Sequence, residues 1–400
     1  MKNRIIFLSH TPPLKIKGSG LSVLLYNIIF SLQNFNKEII TYCGEVKVGE
    51  KEIKKDNSAL KVLICDAWFS KLYQIKGSRF FRGLLMGISF IISLPRIGKQ
   101  INKENTLVTV VIGTSAKPLL EFLILKYIFR KVKYGLYIVD DLELINSKLN
   151  NKYESFLTKK LLPASIKKSD YLITISYGLS NTYLTKYGKS SYVLLPHFSA
   201  RNCLVRTSID KSFTFLFTGG LNFLYNESLL QLASVIDGIN RTNKYTFVLK
   251  LKIQTYSPEA EFKKLGFTSS HVIYSTVDNR NELLNIYNNC QCFVVPYSFN
   301  LEDKQIVESS FPQKVAEIIQ YGKPILVFGP DYSSVVQFFN NSDLNYVCNS
   351  LTDNMLQNTI FKIVEDYDTF NELSYLNAYN KFLSAAMINS LFERICTNLI

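Results

Sequence analysis

The chain has 400 residues, 47% of them hydrophobic and 20% charged, with 18 Gly and 11 Pro. That length predicts two domains, and that composition excludes disordered, collagen-like and low-complexity chains. The net charge of +14 is unevenly placed: residues 1–200 carry 30 Lys and Arg against 13 Asp and Glu, whereas residues 201–400 carry 16 against 19, so the two halves are expected to face different partners.

The first predicted element is a strand over Arg4–Leu8. Its apolar run is too short for the core of a secretory signal, and none is expected. His10 follows the strand. Gly18 and Gly20 then stand at the head of a helix predicted over Ser19–Gln33, where a backbone without Cβ atoms lets a phosphate or sugar approach; a plain helix-entry turn explains the pair equally well. Further strands are predicted at Glu38–Tyr42, Lys61–Cys65, Leu107–Ile112, Tyr134–Val139, Tyr171–Ile175 and Tyr192–Leu195, with helices over Lys117–Arg130 and Tyr153–Lys167. Several strands are apolar throughout, the pattern of a parallel sheet covered on both faces, so a doubly wound α/β domain is predicted.

The longest apolar run, Gly83–Pro95, lies between Arg82 and Arg96. As a helix it would span roughly 20 Å, short of the ~30 Å of a bilayer core. Two readings stand: a buried core helix, or a helix lying in a membrane interface. Further on, Asp140, Asp141 and Glu143 follow a strand. The residues fit cleft lining or helix capping better than a metal site, because no other acids lie at ligand spacing.

After an irregular connector around Pro196–Lys211 the pattern restarts. Strands are predicted at Phe213–Phe217, Tyr245–Leu251, His271–Ser275, Cys292–Val295, Pro324–Phe328 and Leu344–Cys348, with helices over Asn281–Asn289 and Pro312–Tyr321 and a helical stretch over Leu373–Ile400. Two such domains in succession predict a ligand cleft between them. The seven Cys are sparse, and Cys290 and Cys292 have no further ligand close in sequence, so reduced buried thiols are expected rather than zinc or disulfides.

The most informative stretch is Phe311–Pro330. Pro312 opens a helix, Gly322 stops it, and a buried strand and a Gly-Pro turn follow. Ser309 and Ser310 are candidate N-caps, which would leave free N–H groups for an anion. Lys314 sits in the first turn, where a cation opposes the helix dipole unless an anion is present. Glu317 lies further along, where a carboxylate can accept hydrogen bonds from two hydroxyls, as a ribose offers.

The order Pro-x-Lys-x-x-Glu, then Gly-Lys-Pro-Ile-Leu and Gly-Pro, resembles the nucleotide-sugar site of family 4 (group 1) glycosyltransferases of the GT-B fold, in particular a bacterial polysaccharide branch. Residues 282–296 and the Thr218-Gly219-Gly220 turn are similar to the lead into that site. The resemblance implies two facing Rossmann-like domains, divided as residues 1–196 for the acceptor, 197–372 for the donor and 373–400 as a helical segment crossing the junction. It implies that Glu317 holds the donor ribose, with Lys314, Ser310 and the Gly219-Gly220 turn also on the donor, and that Gly18 and Gly20 line the cleft opposite. Asp140 and Asp141 are expected on the acceptor side. Glu308 is a candidate contact to the donor sugar, although eight residues rather than the family's seven separate it from Glu317.

Also implied are a retaining, metal-independent transfer without a cofactor, and the partners: a nucleotide diphosphate sugar, and a glycan or lipid-diphosphate-linked acceptor. An anionic membrane surface is a further expected partner, suggested by the basic first half and the apolar helix, and nucleic acid is not one. The location expected is cytoplasmic, on the inner face of a bacterial membrane. One departure stands out: Tyr225 and Asn226 occupy positions where many members carry a diphosphate-gripping cation. A non-catalytic scaffold, or an epimerase lacking a visible acid/base set, are the alternatives. Of the three His, His10 is a candidate general base facing the cleft, His197 a candidate ligand contact and His271 a structural residue.

Overall fold

A computed structural model of the chain describes residues 3–15, 20–43, 50–67, 79–198, 207–277 and 279–400, with residues 79–83 and 280 described in their backbone alone. Gly18, expected to line the cleft, and Cys203 lie outside these residues. The chain divides into two units, residues 1–199 with 384–400 and residues 200–383.

In the N-terminal unit seven strands form one parallel sheet in the order β3-β2-β1-β4-β5-β6-β7. They are β1 Arg4–Leu8, β2 Asn36–Thr41, β3 Lys61–Ile64, β4 Thr106–Ile112, β5 Lys133–Ile138, β6 Tyr171–Thr174 and β7 Tyr192–Val193. All seven residues of β4 are buried, as expected of a central strand covered on both faces. Between the strands run α1 Gly20–Ser31, α2 Glu50–Asp56, α3 Arg79–Ile101, α4 Lys117–Ile128, α5 Leu142–Lys148, α6 Lys152–Lys168 and α7 Tyr177–Tyr187. β7 is two residues shorter than expected at its C-terminal end, since Leu194 and Leu195 lead directly into Pro196 at the sheet edge.

The C-terminal unit repeats the plan with six parallel strands in the order β10-β9-β8-β11-β12-β13: β8 Ser212–Thr218, β9 Val248–Gln254, β10 Val272–Ser275, β11 Cys292–Pro296, β12 Ile325–Phe328 and β13 Val347–Cys348. Its helices are α8 Asn226–Arg241, α9 Glu259–Lys264, α10 Arg280–Asn289, α11 Lys304–Ser309, α12 Gln313–Ile318, α13 Ser334–Asn341, α14 Asp353–Glu365 and α15 Glu372–Ala378. β9 starts three residues later than predicted. Tyr245 and Phe247, which look β-forming in sequence, instead stack on each other at 5.1 Å and on the Phe361 and Phe213 rings. Each unit has its own apolar core. In both, the order of connections reverses beside the first strand, so a crevice opens at the carboxyl ends of β1/β4 and of β8/β11, where ligands bind open α/β sheets.

Two elements correct the sequence expectation. The apolar helix does not end at Pro95: α3 runs 23 residues with Pro95 inside it, roughly 34 Å at 1.5 Å per residue. The argument from shortness therefore fails. Among the described residues it is the one helix long and apolar enough to cross a membrane by length and composition, with 44% of Leu84–Ile101 buried. Leu85, Met86, Phe90, Ile97 and Ile101 are in the core while Leu84, Ile88, Ile91 and Ile92 are exposed, so the two readings describe two faces of one helix.

The second correction is α12, which has only six α-helical residues before it tightens into a 3₁₀ turn over Ile319–Tyr321. Gly322, at φ 56°, ends it, a left-handed position that favours glycine. The last helix, α16 Ala385–Leu399, belongs to the N-terminal unit.

Candidate active site

The C-terminal unit builds its candidate site where β8 ends. Gly219 has φ 151° and donates its N–H to the Gln254 carbonyl at 2.9 Å. The backbone conformation at Gly219 favours glycine, and a Cβ there would stand 3.0 Å from Lys314 Nζ, so that side chain would have to shift. Lys314 Nζ in turn donates to Thr218 Oγ1 at 3.0 Å. The Thr-Gly-Gly turn and the Pro-x-Lys-x-x-Glu string, 96 residues apart at Thr218 and Lys314, thus form one site.

Burial pushes the Lys314 ammonium down to about 8, partly offset by the Glu317 carboxylate. Lys314 and Glu317, three residues apart on α12, share a face, and Glu317 is 7% exposed. A desolvated cation held against a glycine turn, with a carboxylate one turn on, can receive an oxyanion and hold vicinal hydroxyls.

Other expected residues take different places. Ser310 is not an N-cap: the cap position of α12 is Pro312, with no side-chain bond, because Ser309 and Ser310 are used to close α11. Ser310 donates its N–H to Ile306 O at 2.9 Å, and its hydroxyl meets the Tyr297 hydroxyl at 3.1 Å. The helix-dipole contribution is correspondingly small, since α12 has so few aligned peptides. Glu308 lies 3.7 Å from Lys304, four residues earlier on α11, and Lys304 also stands over the Tyr332 ring at 5.3 Å. Gly220 faces Tyr256: a Cβ there would come within 2.3 Å of the Tyr256 hydroxyl. Tyr225, in place of a cation, packs its ring on Phe217 at 5.7 Å and Tyr297 at 5.8 Å.

In the N-terminal unit His10 is buried. Its Nε2 lies 2.9 Å from Glu121 Oε1, which also accepts from the Tyr42 hydroxyl at 2.9 Å, and the His10 and Tyr42 rings are 4.6 Å apart. Sequence reasoning missed Glu121. Its signal was a lone carboxylate in the apolar helix KPLLEFLILKYI, where a buried acid requires a partner. Gly20 opens α1.

His197 is tied to the last residue of α1 through Ser31 Oγ at 2.7 Å. His271 Nδ1 lies 2.7 Å from Asp237 Oδ1. Asp141 caps α5, accepting from the Glu143 and Leu144 N–H groups at 3.1 and 3.3 Å. Asp140 beside it is pushed up to about 6 by burial and by the Asp141 charge. Glu143 itself pairs with Lys186 and Tyr187. Among the described residues no three His, Cys, Asp or Glu side chains gather as a metal set.

A second buried lysine also went unread. Lys323 of the Gly-Lys-Pro string donates to the carbonyls of Tyr287, Asn288 and Cys290 at 3.0, 2.6 and 2.6 Å and to Thr207 Oγ1 at 2.9 Å. It satisfies the carbonyls left open at the end of α10.

No protein-family model matches the chain, and no curated protein matches it. Solved structures do. The N-terminal domain of Candida albicans trehalose-6-phosphate phosphatase superposes with a TM-score of 0.61 at 10% identity, covering 100% of this chain and 97% of its own. The catalytic domain of Arabidopsis thaliana starch synthase IV, bound to ADP and acarbose, gives 0.60 at 12% identity over 99% and 100%. The E. coli trehalose-6-phosphate protein bound with UDP-2-fluoro glucose gives 0.55 at 10% identity over 99% of each chain. At such identities the likeness concerns the fold: this chain has the α/β fold of two Rossmann-like domains that the GT-B resemblance implied.

Proposed function

We propose that this chain is a glycosyltransferase that moves a sugar from a nucleotide diphosphate sugar to a glycan or lipid-diphosphate-linked acceptor in surface polysaccharide synthesis, working on the cytoplasmic face of a bacterial membrane. The observation that carries the reading is the Lys314 ammonium seated on Thr218 and Gly219 with Glu317 on the same face of α12. Ligands bound to two of the structural neighbours, ADP and UDP-2-fluoro glucose, are of the matching chemical class.

In this reading the diphosphate lies against Lys314 and the Gly219-Gly220 backbone, and Glu317 accepts hydrogen bonds from the ribose. As the bond from the sugar C1 to the leaving phosphate oxygen breaks, Lys314 stabilises the charge that grows there. The acceptor hydroxyl oxygen forms the new bond to C1, and its proton passes to the leaving phosphate, with retention of configuration. No base is then required, and buried His10 is assigned to holding Tyr42 and Glu121 together. The acceptor side, near Asp140, belongs to the basic half, and the exposed apolar face of α3 suits an anionic bilayer carrying a lipid-linked acceptor.

Calorimetric titration of nucleoside diphosphates into wild type and Glu317→Ala tests this directly. One nucleotide should bind, and the substitution should weaken it by tenfold or more, about 1.4 kcal/mol. One observation favours the alternative of a non-catalytic scaffold: Tyr225, at a sequence position where the resemblance implies a phosphate-gripping cation, packs its ring on Phe217 and Tyr297. Well-folded protein that binds none of the nucleotides would overturn the transferase reading and leave that alternative standing.

A further inference from the structure

Tyr256 is 84% exposed, and the loop that carries it is tied down by its neighbours. It follows β9 on a loop braced from three sides. Ser257 N–H donates to Thr255 Oγ1 at 3.0 Å, the Tyr274 hydroxyl donates to Ser257 O at 2.9 Å, and Leu221 N–H donates to Ser257 Oγ at 3.3 Å. The ring's hydroxyl end lies on Gly220, so close that any side chain there would displace it. The same strand end carries Gln254, whose side-chain oxygen is buried without a hydrogen-bond partner among the described residues.

Along the carboxyl edge of the sheet β8 lies between β9 and β11. On the β11 side Tyr297 and Ser298 are buried, with Ser298 Oγ donating to Asp303. On the β9 side, next to the Gly-Gly turn, Tyr256 presents an exposed aromatic ring. A ligand anchored by its diphosphate at Lys314 and Gly219 has its remaining flat π surface, the nucleobase, free to stack there, and aromatic stacking accepts any base.

We infer that Tyr256 is the stacking platform for the donor nucleobase, and that glycine at 220 is required so that the ring can lie beside the diphosphate turn. This rests on the donor site proposed above. The test is titration of UDP, GDP, ADP and CDP into wild type, Tyr256→Ala, Tyr256→Phe and Glu317→Ala, with thermal unfolding of each variant. Because the ring is exposed, Tyr256→Ala should melt with wild type.

For whichever nucleotide wild type binds, Tyr256→Ala should lose tenfold or more in affinity and Tyr256→Phe should stay within about twofold of wild type. Weakening by Glu317→Ala with unchanged binding by Tyr256→Ala would overturn the stacking role and leave the donor site standing. Equal losses in Tyr256→Ala and Tyr256→Phe would overturn it too, since the hydroxyl rather than the ring would then be at work. Failure of wild type to bind any of the four overturns both.

Discussion

In the proposed transfer Lys314 carries the chemistry, and its environment sets a pH dependence. Buried, it titrates near 8 in the free protein, and a bound diphosphate favours its charged form. Below about pH 8 the cation is already in place. Above that, binding must first return a proton to the amine, so affinity for a nucleoside diphosphate should fall by up to tenfold per pH unit. Calorimetry from pH 6.5 to 9.5 checks this, and Lys314→Met should bind weakly at every pH with no such slope.

The residue-level pattern in sequence was informative where a residue's partner lies near it in the chain, as with Lys314 and Glu317. It was silent where the partner is distant. Nothing in sequence says that Glu121 meets His10 and Tyr42, or that Lys323 closes the end of α10. Both are buried charges explained by partners that only folding supplies.

At the level of elements, α3 has the most to test. Its inner face is core and its outer face presents Leu84, Ile88, Ile91 and Ile92, followed by exposed Arg96 and Lys99. Apolar surface beside cations is the pattern of a helix at an anionic interface. Wild type should pellet with vesicles containing anionic lipid and not with neutral ones. Ile88→Asp with Ile91→Asp should abolish pelleting while melting near wild type, because neither side chain is buried. Equal failure of wild type with both lipids removes the membrane role. Element types and their order were legible because buried parallel strands and amphipathic helices have distinct local patterns. Element ends were less so: Pro95 looked like a stop and is an exposed helix residue, and Ser309-Ser310 looked like a cap and close the preceding helix instead.

For the molecule as a whole, the chain's last helix completes the core of its first domain. Ile388, Leu391, Phe392 and Ile395 of α16 are buried among residues of β1, β2 and α1, with the Phe392 ring 5.8 Å from Phe7 and 6.4 Å from Phe35. The N-terminal unit therefore lacks part of its core until α16 has been made. Phe392→Ala should destabilise that unit by about 3–5 kcal/mol, seen in calorimetric unfolding as a lowered transition for one unit and an unchanged one for the other. Coincident lowering of both would show that the units unfold together.

The sequence by itself determined two doubly wound α/β domains, their order, and the short string that holds Lys314 and Glu317 on one helix face, because those features depend on local periodicity and on neighbours a few residues apart. The tertiary structure alone decided that the string meets Thr218 and Gly219, that Tyr256 lies over Gly220, that His10 is enclosed with Glu121, and that the final helix returns to the first domain. Each of these is a contact between residues far apart in the chain, made by the packing of strands and helices against one another, and no local pattern encodes it.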